Sequence, residues 1–292
     1  MIRRIAIALL AAGLAYMALP AFAQTAHPSP APSPSPIADP NPCGGPSGLL
    51  AVLDRPTIGF SACAVAPGTT LFELGYQNEV GGSGGNAFVQ TQYPQNFLRV
   101  GVAPRVELDL IGPNEVRQRS LKPTAPDSVT NGAFDSGLGA KYEFPQRGAA
   151  TFAIDGLYTA PSGSPDFTAG NASYTLNLDI AYPLTPNTGI GTTLGFTSTG
   201  GFATNGAHAR YGAFLPSVVV TESLPHDYQP YFEYVYASRL SPSVGGRAYI
   251  DYGIQKLFGS RTEVDVELGH ALSAKPSLKF NYIGVGLGLE LQ

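Results

Sequence analysis

From residue 72 onward the chain is built of short runs in which apolar and polar residues alternate, the period of a half-buried strand. In TLFELGYQ, Phe72, Leu74 and Tyr76 share one face, and Glu73, Gly75 and Gln77 the other. FLRVGVAPRVELDLI holds two such runs around Ala103-Pro104, with Leu98, Val100 and Val102, then Val106, Leu108 and Leu110, on the apolar side. Arg99 and Gly101, then Glu107 and Asp109, lie opposite. GLGAKYEF sets Leu138, Ala140, Tyr142 and Phe144 against Gly139, Lys141 and Glu143. TFAIDGLY sets Phe152, Ile154 and Tyr158 against Thr151 and Asp155. SYTLNLDIAY alternates Tyr174, Leu176, Leu178, Ile180 and Tyr182 with Thr175, Asn177 and Asp179. Further runs follow at 190–196, at 214–220, at 232–236 around Glu233, and at 248–254 with Arg247 and Asp251 on the polar face. The last two are 264–268, flanked by Glu263, Asp265 and Glu267, and 283–291, opposed by Gly284, Gly286, Gly288 and Glu290. With a weaker strand near 87–92 that continues to Val102, the count is twelve.

The connections alternate in length. Short ones fall at 103–105, 145–148, 185–188, 224–229 and 258–261, and longer ones near 79–88, 112–134, 160–171, 199–208, 239–246 and 272–278. Five tight turns and six looser loops suit twelve antiparallel strands whose two ends lie on the tight-turn side. Bacterial outer-membrane barrels have this form, with short periplasmic turns, longer outer loops and an even strand number. A soluble barrel or sandwich would show the same alternation with its apolar face buried. Three features favour the membrane. Only 13% of residues are charged, against roughly 25% in an ordinary soluble domain. The polar face is rich in glycine and carboxylate, and tyrosine and phenylalanine recur at strand ends like interfacial girdles. The expected fold class is therefore all-β: an antiparallel transmembrane β-barrel of about 12 strands, at 69–292, with a short disulfide-linked N-terminal segment.

The N-terminal region reads differently. Arg3 and Arg4, the apolar stretch from Ile5 to Leu19, and Ala21-Phe22-Ala23 form a Sec-type signal peptide, residues 1–23. Residues 24–42 contain HPSPAPSPSPIADPNP, a Pro/Ser/Ala-rich run without apolar periodicity, and read as an extended linker. The two cysteines of the chain, Cys43 and Cys63, lie in the exported part, where an even count allows one intrachain bridge. Without a C-x-x-C there is neither a thioredoxin-type motif nor a zinc ribbon, so no metal or cofactor is expected. Residues 43–68 read as an N-terminal periplasmic segment, a plug or lid, whose Leu49, Leu50, Val52 and Leu53 need apolar cover. The formal charge is −4, or −6 once Arg3 and Arg4 leave with the signal peptide. A nucleic-acid partner would need a basic stripe and is not expected.

Candidate chemistry changes this picture little. His226-Asp227 beside Ser223 invites a triad reading, but sequence neighbours in a tight turn rarely present an oriented base to a nucleophile. His270 near Ser273 leaves open a lipid-modifying Ser-His pair, without any flanking signature. The glycine runs at 81–85 and 189–195 lie between strands, where a phosphate cradle would join a strand to a helix. Glycines on one strand face make room for neighbouring side chains instead. The inferred lumen carries Glu73, Glu107, Asp109, Glu143, Asp155, Asp179, Glu233, Asp251, Glu263, Asp265, Glu267 and Glu290, with Arg99, Lys141 and Arg247 as its bases. Charges there need partners or water. Two readings stay open: an ion-pair network that fills a narrow barrel, or a hydrated acidic pore that favours cations and neutral solutes over anions. For the stripe Glu263, Asp265 and Glu267, Arg247 on the preceding strand is the nearest expected partner.

The segments GLLAVLDRPTIGFSACAVAPGTTLFELGYQ, YPQNFLRVGVAPRVEL, GLGAKYEF and VDVELGHALSAKPSLKFNYIGVGLGLELQ resemble an outer-membrane transporter-like family, that of the MetA-pathway of phenol degradation. The likeness covers roughly 46–292. It implies a barrel near twelve strands that passes small, hydrophobic or aromatic molecules across the outer membrane. Its partners would be outer-membrane lipid, a small-molecule solute and, during biogenesis, the barrel-assembly machinery. Such barrels usually end in an aromatic residue, whereas Leu291 and Gln292 stand here, so docking to that machinery would use a weaker signal. Together these readings point to a channel, with a pore-less structural barrel as the alternative and a lipid-modifying enzyme third.

Overall fold

The structure, a computed structural model, describes residues 43, 48–82, 87–146, 148–273, 275 and 278–291. The expected signal peptide and linker lie outside the described residues. Among the described residues a single short helix, α1 (Gly48–Val52), precedes the strands, and no described helix is long and apolar enough to cross a membrane. The strands are β1 (Thr70–Gly81), β2 (Ala87–Ala103), β3 (Val106–Ile111), β4 (Glu115–Leu121), β5 (Ser128–Ala133), β6 (Gly137–Glu143) and β7 (Thr151–Thr159). They continue as β8 (Ser173–Pro183), β9 (Thr188–Phe202), β10 (His208–Glu222), β11 (Tyr228–Arg239), β12 (Gly245–Phe258), β13 (Thr262–Ala271) and β14 (Phe280–Leu291).

β1 pairs with β14 over its whole length, from Thr70↔Leu291 to Gly81↔Phe280, and with β2 on its other side. Antiparallel neighbours run on through β3 and β6 to β14, so twelve strands close on themselves. Closure leaves those strands no free edge, which is what makes a sheet viable in lipid. β4 and β5 are the two extra strands. They correct the expectation of a plain loop at 112–134: β4 continues β3 along β2, at Ala87–Gln92, and β5 pairs with β4. Pro113, which has no N–H, stands in the break between β3 and β4, where Asn114 Oδ1 accepts the backbone N–H of Asn96 at 2.9 Å. At the tip of this hairpin Arg119 and Asp127 form an ion pair at 2.6 Å, and that hydrogen bond holds the Asp127 carboxyl below its usual range. Two other expected loops are shorter than their ranges, because β9 and β10 extend to leave only 203–207 between them, and β11 and β12 only 240–244.

Alternation places the two faces as expected. Leu108, Leu138, Leu176, Phe196, Phe232, Val266 and Ile283 are exposed on the outside. On β8 the exposed side chains run Tyr174, Leu176, Leu178 and then Tyr182, so two aromatic residues bracket an apolar band. Two irregularities interrupt the regular ladder. In β2, Gly75 pairs with Gln95 but Gln77 with Gln92, so Tyr93 and Pro94 form a bulge opposite Tyr76. The odd offset reverses the parity of β2, and Gln77, Gln92 and Gln95 meet on the inside. Between β10 and β11 the ladder covers only Ser217–Thr221 against Val235–Tyr231 and stops at Pro216.

The outward face generates a direct prediction. Leu178→Arg places a charge near the middle of the apolar band and should lower the unfolding free energy in lipid vesicles by about 2–4 kcal/mol. Denaturant titration measures it; an unchanged midpoint would mean that this face does not meet lipid.

Candidate functional site

The inward face gathers the acidic side chains. Glu73, Glu107, Asp109, Asp155, Asp179, Glu233, Asp251, Glu263, Asp265 and Glu267 are each at most 3% exposed, Glu143 is 7% exposed, and Arg99 and Lys141 are buried with them. Among the described strand residues, then, eleven buried carboxylates face two buried bases. Cross-strand register sets them in a belt: Glu107 opposes Lys141, Lys141 opposes Asp155, and Asp155 opposes Asn177. Such an excess of one sign inside a barrel is unfavourable unless something else brings counter-charge or donors.

The N-terminal segment brings both. Asp54 and Arg55, the two charged residues between Cys43 and Gly68, are adjacent in the chain and reach different strands of the wall. Asp54 accepts Lys141 Nζ at 3.2 Å and lies 3.3 Å from Arg99 Nη1. Arg55 Nη2 lies 3.4 Å from Asp265 Oδ1 and 3.3 Å from Glu267 Oε1, while its Nη1 donates to Gln95 at 2.8 Å. Arg99 also spans Glu73 at 3.0 Å and Glu107 at 2.8 Å.

Backbone N–H groups of the same segment take the other glutamates. Arg55 N donates to Glu73 Oε2 at 2.8 Å, and Ile58 and Gly59 N donate to the two oxygens of Glu233 at 2.7 and 2.9 Å. Ala64 N donates to Glu143 at 3.0 Å, Val65 N to Glu107 at 2.6 Å, and Phe60 N to Thr193 Oγ1 at 2.9 Å. An irregular segment leaves its N–H groups unpaired, and buried ones must find acceptors. Hydrogen bonds to charged groups contribute about 1.5–3 kcal/mol each. The segment thus finds acceptors in Glu73, Glu107, Glu143 and Glu233, and supplies them with donors. Cys43 and Cys63 are bridged, with Cα atoms 5.6 Å apart. The expected need for apolar cover is met where Leu49, Leu50, Val52 and Leu53 pack with Val65, Leu71 and Leu257.

Glycines provide the space. Gly284 and Gly286 of β14 stand opposite Glu267 and Asp265 in register. A Cβ at either position would lie 2.1 Å from a carboxylate oxygen of that neighbour. The acidic stripe can fold across β14 toward Arg55 only because no side chain stands there.

The expected partner of that stripe is corrected. Arg247 is not beside it; its guanidinium lies over the Phe280 ring, 4.1 Å from the centroid, nearer the outer loops. Register explains this, since Arg247 opposes Ala237, whereas the stripe lies beside Leu257, Gln255 and Gly253. Glu290 is half-buried, 4.0 Å from Arg261 at a tight turn. Reasoning from strand parity missed Asp54 and Arg55, although an isolated Asp-Arg pair in an uncharged segment was a visible signal. Inward-facing Tyr231 and Tyr282, both buried, were also missed. The histidines are not paired with serines: His270 Nδ1 contacts Asn281 Oδ1 at 2.5 Å, and Ser273 Oγ accepts the N–H of Lys275. His226 and Asp227 occupy positive φ in a turn where Lys256 bonds the His226 carbonyl. Among the described residues no group of three or more His, Cys, Asp or Glu side chains is arranged to hold a metal ion.

Arg99 touches the segment and two walls at once, so its loss should be severe. Arg99→Met leaves Glu73 without its buried counter-charge and Glu107 with Lys141 alone, and should cost about 3–5 kcal/mol. Denaturant unfolding of the folded barrel in vesicles tests this, and a change within the error of the wild-type curve would remove Arg99 from the centre of the network.

Among solved structures, the fold is similar to an outer membrane channel from Pseudomonas putida F1, with a TM-score of 0.58 and 14% identity over 79% of this chain and 98% of that one. It is also similar to the NanC porin, with a TM-score of 0.50 and 12% identity over 75% of this chain and all of the other. At such identities the likeness is one of fold. No curated protein matches the chain. Residues 53–287, which take in the Asp54-Arg55 pair and the whole barrel except the last four residues of β14, match the family described as Putative MetA-pathway of phenol degradation, and the chain belongs to that family.

Proposed function

We propose that this protein is an outer-membrane channel through which small molecules, hydrophobic or aromatic ones among them, pass by diffusion, and that residues 43–68 are its plug. The observation that carries the reading is what fills the barrel. A purely structural barrel of this size is packed by side chains of its own strands. Here the wall leaves gaps at Gly75, Gly101 and Gly288, where Arg55, Ala66 and Leu53 of a chemically distinct segment stand, and that segment is bonded through N–H groups and one Asp-Arg pair. Twelve strands enclose more room than the eight that side chains fill, and less than the sixteen to eighteen of open porins. A segment held by hydrogen bonds and ion pairs is also separable from the wall at lower cost than a covalent or strand-paired filling.

Family membership and the similarity to an outer membrane channel support this reading. The acidic wall supplies the expected preference: when the segment moves, carboxylates such as Glu233 and Glu267 face the opening and disfavour anions. The disulfide joins residues 20 apart, so 43–63 is closed into a loop that restricts how far the segment unfolds from the lumen. The histidine surroundings give no support to a lipid-modifying role.

Planar-bilayer recording tests the channel and its plug. The wild type should show small, infrequent openings that carry potassium in preference to chloride, and the Cys43→Ser/Cys63→Ser double variant should open several-fold more often. A barrel that shifts on unheated gels as a folded protein yet stays electrically silent in both forms would be structural, and identical traces from the two forms would remove the plug role. Migration with the outer-membrane fraction, and not with soluble periplasm, checks the location.

A further inference from the structure

The N-terminal segment is not held equally on all sides. Ion pairs and carboxylate-bound N–H groups tie it to β1, β2, β3, β6, β11 and β13, while toward β9 its direct hydrogen bonds are those between Phe60 and Thr193. On that weakly held side a cavity of about 410 Å³ lies between the segment and the tight-turn ends of β8, β9 and β10. It reaches Pro186 and Ser223, residues of two tight turns, and so extends to the mouth of the barrel.

The chemistry of this cavity differs from the rest of the lumen. No carboxylate lines it, and its one charged lining residue, Arg55, is already paired with Asp265 and Glu267. The wall there is small, Ala181, Gly189 and Gly191, which is why the space exists. Leu50, Phe60 and Val219 give it apolar surface. Hydroxyls of Ser217, Thr221 and Ser223 also line it, with Ser217 beside the Glu233 carboxylate. Cavities of about 300–1,000 Å³ with apolar walls and a few polar groups are of the size and character that hold one small organic molecule. An anion there would meet acidic surroundings without a free base, and a cation would find the carboxylates behind the lining, Glu222, Glu233 and Asp179, already bonded to Thr188, Gly59 and Thr193.

We propose that this cavity is a binding site for a small uncharged molecule with an apolar, ring-sized body and one hydroxyl group, lodged between Phe60 and β8–β10. It deepens the channel reading and rests on it for its role, as the place where a solute pauses before the periplasmic mouth. Its occupancy is testable separately from passage.

Three probes share one ring and differ in charge: para-iodobenzyl alcohol, para-iodobenzoate and para-iodobenzylamine. Crystals of the full chain soaked in each, with iodine located by anomalous scattering, should show iodine in the cavity for the alcohol alone. Val219→Phe should abolish that peak by filling the space, and Ala181→Leu serves as a second filling variant should the first fail the folded-migration check on unheated gels. Iodine elsewhere in the lumen, equal occupancy by the charged probes, or a peak that survives in a folded filling variant would overturn the site. Uptake of the alcohol into liposomes separates the two readings. Uptake with an empty cavity leaves the channel and removes the site, whereas an occupied cavity without uptake leaves the site and removes the channel.

Discussion

Buried charge without enough opposite charge is the constraint around which this barrel is organised. Among the described strand residues eleven buried carboxylates share the inward face with two buried bases, an arrangement that burial and mutual repulsion both disfavour unaided. The Asp54-Arg55 step resolves part of it from within the lumen. Adjacent residues of opposite sign divide their work, Asp54 toward Arg99 of β2 and Lys141 of β6, and Arg55 toward Asp265 and Glu267 of β13. Glu73, Glu107, Glu143 and Glu233 become acceptors for backbone N–H groups that an irregular segment would otherwise bury unpaired. Each partner thus answers a deficit in the other, and the segment is placed by chemistry more than by shape.

The same constraint accounts for the uneven texture of the wall. Where the segment is clamped, the strands carry long acidic side chains beside glycines that leave them room to bend inward, as with Glu267 beside Gly284. Where it is not clamped, the tight-turn ends of β8 to β10 carry alanine, glycine and hydroxyl residues and enclose open volume. Apolar packing adds a third kind of contact, since Leu71 and Leu257 turn inward to meet Leu49, Leu50 and Leu53.

Much of the fold was legible because alternation is a local property. Phe232, Tyr234 and Tyr236 against Glu233 declare their faces without any knowledge of neighbours, and the structure exposes the first three and buries the last. Turn lengths ordered the strands as an antiparallel meander. Legibility ended where pairing was decided between distant residues. The stretch 112–134 lacks clean alternation, and its two strands exist because β2 extends past the rim and offers an edge to β4. Tyr93 and Pro94 shift the register of β2 by one residue, which no pattern in that short polar stretch announces.

The sequence by itself determined a twelve-strand closed barrel, its outward apolar band, its acidic interior and the Cys43–Cys63 bridge, since these follow from period, composition and count. Only the tertiary structure decided how that interior is neutralised. Arg247 stands on a strand next to the acidic stripe but several rows too far out, while Arg55, some two hundred residues away in the chain, lies within reach of Asp265 and Glu267. Coulomb attraction and hydrogen bonding act over a few ångströms of space, and the path of an irregular segment through a lumen is fixed by the sum of such contacts, not by any repeat along the chain.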